Sequence, residues 1–173
     1  MGRQVRTRVD NNLPEIGGLA VLRLAMRWRA MNAGFRIRHR LPGAWFSGRS
    51  WCNPITRTIW LRHDADIDTP AGVALLAHEV AHARQQSGRL PYRLAWGLRY
   101  LLDPWFRRRA EVEAEAWWVA VMVRLDGGRT PFPVCRYAEQ SHTLGSWRAP
   151  HYTPGDPDHL TDAIAERARE ILE

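Results

Sequence analysis

One run of residues constrains this chain more than any other: Val73-Ala74-Leu75-Leu76-Ala77-His78-Glu79-Val80-Ala81-His82. It is apolar except at three positions, and those three form the pattern H-E-x-x-H. Thr69-Pro70 ahead of it is a helix start, with Thr as N-cap and Pro in the first turn. The spacing predicts a helix from there to about Ser87, ended by Gly88. A helix with such flanks has to be buried, and the remaining chain has to be built around it. Residues four apart lie one above the other on a helix, so the two imidazoles share a face and are placed to hold one metal ion. Glu79 sits beside them, within reach of a proton on a metal-bound water. Two imidazoles and a carboxylate inside an apolar helix cost free energy unless they are paired or ligated. In a chain of this composition the pattern arises by chance about once in 70 sequences, so it is informative but not decisive alone.

A zinc site needs a third protein ligand and an open fourth position. The next histidine after His82 is His142, far beyond close ligand spacing. A third helix, predicted over about Arg107–Leu125 and stopped by Gly127-Gly128, supplies carboxylates instead: Glu111, Glu113 and Glu115. Glu111 and Glu115 share a face that Trp118 and Met122 continue, whereas Glu113 points elsewhere and suits a solvated position. Like charges four apart repel, and a cation at that face would make sense of them.

Taken together, His-Glu-Val-Ala-His and the later Glu-Val-Glu-Ala-Glu resemble the minimal gluzincin zinc metallopeptidases, among them the ImmA/IrrE-like and HtpX-like groups. The resemblance spans about residues 55–125 and rests on two short motifs. It implies an α+β, zincin-like domain, with a small antiparallel or mixed sheet packed on the active-site helix and several further helices. It implies Zn²⁺ held by His78, His82 and Glu111, with Glu79 as general base. Glu115 stands where the family often has Asp or Asn, so it is either a partner orienting a ligand histidine or the ligand itself. A peptide or protein substrate would add as a strand to the exposed edge of the strand before the active-site helix, here Thr56–Arg62. A donor to the oxyanion is expected in the segment Arg129–Pro157, rich in Pro, Gly, His and aromatics, where any helix would be short. Tyr152 is the first choice, ahead of His151, His142 and Tyr137.

The rest of the chain fits one domain over residues 1–173, with 1–12 a flexible basic arm. Leu19–Ala33 has near-helical apolar spacing through Leu19, Leu22, Met26 and Met31. Phe35–Leu41 alternates as a strand and would pair antiparallel with Thr56–Arg62. Tyr92–Leu102 reads as a helix, and Tyr92–Trp105, through Trp96, Tyr100 and Trp105, reads as core-covering in preference to lying on a membrane surface. His159–Leu172 closes the chain as a helix. Asp64, Asp66 and Asp68 suit the N-terminus of the metal-site helix better than a calcium loop. Arg107-Arg108-Arg109 suits solvated charge with an ion pair.

All 25 basic residues are Arg, and the formal charge is +7. Residues 1–62 hold 12 of them against Asp10 and Glu15, so the Arg-rich third is expected to make weak contact with an acidic partner. Cys52 and Cys135 read as reduced thiols, which favours a cytoplasmic setting. The apolar run Leu19–Met26 is broken by Arg23, which argues against a signal peptide, and no apolar stretch approaches the roughly 20 residues of a transmembrane helix. Three functions follow in order: a zinc peptidase, a metal-bound zincin-fold binding module without general peptidase activity, and a basic nucleic-acid-binding protein.

Overall fold

The computed structural model describes residues 18–39, 50–127, 133–144 and 157–173. In chain order the elements are α1 (Leu19–Asn32), β1 (Arg36–His39), β2 (Trp51–Asn53), β3 (Thr58–Leu61), α2 (Pro70–Gln85), α3 (Leu90–Leu102), α4 (Pro104–Asp126), α5 (Pro133–Leu144) and α6 (Pro157–Leu172). The architecture is α+β, mostly helical, with one small mixed sheet.

The sheet differs from expectation in its pairing. β1 runs parallel to β3, with Ile37 opposite Ile59, instead of antiparallel. The antiparallel partner of β3 is β2, with Cys52 opposite Ile59. β3 is therefore the central strand and offers no free edge for an added peptide; among the described residues the edges are β1 and β2. The β2–β3 turn is closed by Asn53, whose Oδ1 accepts from the backbone N–H groups of Ile55 (2.9 Å) and Thr56 (3.0 Å).

One apolar cluster joins α1, β3, α2, α4, α5 and α6. Leu22, Met26, Ile59, Leu61, Val73, Leu76, Val119 and Ile164 are fully enclosed within it. On α1 the stripe closes with Ala30, while Met31 is 71% exposed. No residue of α3 enters this cluster, so α3 is not the core-covering helix that its aromatics suggested. The segment read as loop from Arg129 contains a full helix, α5, which opens on Pro133, a residue suited to a first helical turn. Glu113, expected in solvent, is half-buried: it accepts from Arg167 Nε of α6 (2.5 Å) and from Trp117 Nε1 (3.1 Å).

The start of α2 is fixed by short-range contacts. The Thr69 side chain accepts from the Gly72 N–H (3.2 Å), and Thr69 Oγ1 donates to the Asp66 carbonyl (2.7 Å). The acidic turn before it is held by ion pairs, Arg62 with Asp64 at 3.0 Å and Arg23 with Asp68. Gly72 is required here for space: a Cβ at that position would overlap the Asp66 carbonyl. Gly72→Ala is expected to cost about 2 kcal/mol or more of stability, because backbone and not a flexible side chain must yield. Chemical denaturation of the variant measures it, and an unchanged midpoint would contradict the packing described.

Candidate metal centre

α2 packs along α4, and alanines on both helices (Ala74, Ala77, Ala81; Ala110, Ala114) are buried, which lets the two axes come close. Between them lie His78 and His82 from α2 and Glu111 and Glu115 from α4. His82, Glu111 and Glu115 are buried, and Glu79 is buried next to them in sequence.

The imidazole nitrogens converge on one carboxylate. His78 Nε2 lies 3.7 Å from Glu111 Oε2, and His82 Nε2 lies 3.6 Å from Glu111 Oε1. Two atoms each about 2.1 Å from one tetrahedral ion stand about 3.4 Å apart, so these separations are close to those of shared ligands and long for hydrogen bonds. Among the described residues, His78, His82 and Glu111 form the group whose donor atoms all lie within 4.8 Å of one another. The donor chemistry, two imidazoles and one carboxylate, fits a metal ion, and the cluster is able to hold one.

The other nitrogen of each imidazole also faces a side-chain oxygen. His78 Nδ1 is 3.6 Å from Glu115 Oε1. His82 Nδ1 is 3.0 Å from Gln85 Oε1, and Gln85 Nε2 donates to the Ala110 carbonyl of α4 at 3.0 Å. Because that amide group is spent on the carbonyl, the Gln85 oxygen faces the ring, Nδ1 carries the proton and Nε2 is turned to Glu111. Glu111 is steadied in turn by Tyr100 of α3, whose hydroxyl donates to Oε1. Tyr100 and Trp96 stack at 5.1 Å, and both rings stand edge-on to His82, at 6.1 and 6.3 Å. Arg107 keeps this end of α3 in place: it is buried, and Nη1 donates to the carbonyls of Tyr100 (3.3 Å) and Leu101 (3.4 Å). The solvated role expected for the arginine triplet is thus wrong for Arg107.

The electrostatics differ between the two rings. Burial pushes the His78 imidazole down to about 4, and the neighbouring His82 adds to the effect. Burial presses His82 the same way, but the Glu111 carboxylate outweighs it and holds His82 above the ordinary imidazole range. Burial would raise Glu111, yet the His82 charge keeps it below the usual carboxylate range. With no cation bound, these shifts favour a neutral His78 and a charged His82 beside the Glu111 carboxylate. A cation entering the cluster displaces the His82 proton, so its binding tightens as pH rises until that proton is gone.

Gln85 does not stand out in the sequence, where Tyr100 reads only as a packing aromatic; both are brought to the cluster by packing. Cys52 lies near enough to Glu79 for the carboxylate to add to the rise that burial imposes on its thiol. That makes β2 a neighbour of the site, and both cysteines are free. Of the residues expected to meet an oxyanion, Tyr137 stands edge-on to Trp118 at 6.2 Å, with its hydroxyl turned to Asp126 at the far end of α4. Tyr152 and His151 lie outside the described residues, as does the side chain of His142 and the arm 1–12. No family model, curated protein or solved structure matches the chain.

The two α4 carboxylates are distinguishable by metal titration. Glu111→Ala is expected to abolish tight binding. Glu115→Ala and Gln85→Ala, which free one imidazole each, are expected to weaken it by about 10- to 100-fold. The reverse order would place the ligand at Glu115.

Proposed function

We propose that the chain is a zinc-dependent peptidase of the gluzincin type, with His78, His82 and Glu111 as ligands, Glu115 orienting His78 and Glu79 as general base. The observation that carries this is the convergence of both imidazoles on Glu111 at 3.6 and 3.7 Å, with a buried glutamate next to the first of them. His₂Glu with an open fourth position is a donor set suited to catalytic zinc. Zinc there supplies Lewis acidity, acidifying water and polarising a carbonyl. Glu79 takes the proton from the attacking water and delivers it to the leaving amine, and its burial keeps the carboxylate poorly hydrated and reactive. Glu79 is close enough for its charge to act on His82, which keeps base and ligands in one locus. Tyr100, Gln85 and Glu115 contribute orientation, each holding one ligand against rotation.

The substrate is a peptide or protein segment in extended form. β3 is central and paired on both sides, so β2 takes over the place first given to Thr56–Arg62. It is an edge strand among the described residues, and its Cys52 feels the Glu79 charge. A peptide laid along β2 as an added strand would run past Glu79.

Glu79→Gln separates the chemistry from the metal. The variant is expected to keep its zinc and to lose peptide cleavage by about 10²- to 10⁴-fold, measured on a peptide library resolved by mass spectrometry. Wild-type protein with full zinc and no cleavage of any library member would instead favour a metal-bound binding module.

A further inference from the structure

The helix that presses Trp96 and Tyr100 onto the metal cluster turns its leucines the opposite way. At about 100° per residue, Leu90, Leu94, Leu98, Leu101 and Leu102 share an arc of about 120°. They are 45%, 46%, 59%, 70% and 73% exposed, and Trp105, just beyond the end of α3, is 59% exposed. None of these leucines joins the apolar core cluster. The opposite side of α3 is fixed inward. Arg93 is buried there and donates to the Pro54 carbonyl of the β2–β3 turn (2.6 Å), and Tyr100 reaches Glu111. A single helix face of five exposed leucines is larger than scattered surface hydrophobes account for.

The surroundings of that face are cationic. Residues Arg89 to Arg109 include six arginines and one acid, Asp103; Arg93 and Arg107 are buried and turned inward, which leaves four on the outside. Arg89, Arg99 and Arg109 are exposed. Arg99 lies off the leucine arc, pairing with Asp103 at 3.3 Å and covering the Phe106 ring at 4.6 Å, and the Arg108 guanidinium stands 5.7 Å from the Trp105 ring centre. An apolar stripe flanked by guanidinium groups and an indole matches a surface that is apolar inside and negative at its boundary. A second copy of this chain fits less well, because it would bring another cationic rim against this one.

We propose that α3 docks on an anionic membrane surface, its leucines in the acyl boundary and its flanking arginines among the headgroup phosphates. The contact is interfacial, since no helix among the described residues is long and apolar enough to cross a bilayer. Because the far side of the same helix touches His82 and Glu111, docking sets the metal cluster about one helix diameter, roughly 10–12 Å, from the lipid.

Flotation of the full, metal-loaded chain tests this with vesicles of phosphatidylcholine alone and of phosphatidylcholine with about one third phosphatidylglycerol. Binding is expected to the anionic vesicles, weakening at high salt. It should fall about tenfold or more in Leu94→Ser/Leu98→Ser/Leu101→Ser, whose metal content and Tm stay those of the wild type because the three residues are exposed. Leu24→Ser/Trp28→Ser, on the exposed face of α1, should leave binding within about twofold. Four results would overturn the proposal: no binding to anionic vesicles; equal binding to neutral ones; a loss in the α1 variant matching that of the α3 variant; or a solution dimer that the α3 substitutions dissociate.

Discussion

The packing of α2 along α4 is the contact on which the rest depends. Small residues on both helices bring the backbones close enough for a short carboxylate side chain to reach two imidazoles one helical turn apart. Those groups are expensive to bury singly and tolerable together, and a divalent cation between them would lower the cost further. The same contact orders the surrounding polar groups. Gln85 links the His82 ring to the α4 backbone, so a shift of either helix would break the ring's support as well as its distance to Glu111. Around this pair, α1, β3, α5 and α6 supply the apolar mass that keeps α2 and α4 in register.

α3 belongs to a different layer. It is held to the body by arginines and aromatics and not by aliphatic burial. Arg93 anchors its start to the β2–β3 turn, Arg107 satisfies carbonyls near its end, and between them Trp96 and Tyr100 lean on the cluster. Polar anchors of this kind fix the orientation of a helix while leaving its outer face available. That division lets one element steady Glu111 on one side and present leucines on the other.

Local signals made α2 and the residues of its candidate metal cluster readable from sequence. Thr69-Pro70, the apolar flanks and the four-residue histidine spacing all act within one helix, and the Glu111/Glu115 pair likewise shows on one wheel. Which of those two carboxylates faces the Nε2 atoms depends on how α4 is rotated against α2, and no periodicity carries that. The places of Gln85 and Tyr100 at the cluster were hidden for the same reason: one is an ordinary polar residue in a last turn, the other one packing aromatic among several. The sheet order escaped because a strand's alternation says which face is buried, not which neighbour it pairs with or in which direction. On α3 the helical wheel has two apolar arcs, one aliphatic and one aromatic, and long-range contacts decide which turns inward: the hydrogen bonds of Arg93, Arg107 and Tyr100 and the packing of Trp96 on His82. α5 was missed: the prolines, glycines and histidines around it read as loop, although Pro133 suits a first helical turn.

Two imidazoles and the Glu111 carboxylate form a cluster able to hold a metal ion, and we propose that it holds zinc. X-ray absorption at the zinc edge, on protein purified with its native metal, tests it most directly. One zinc per chain is expected, bound by nitrogen and oxygen only, at about 2.0–2.2 Å and including two imidazoles. A shell containing sulfur at about 2.3 Å, or protein that retains no zinc at all, would contradict it.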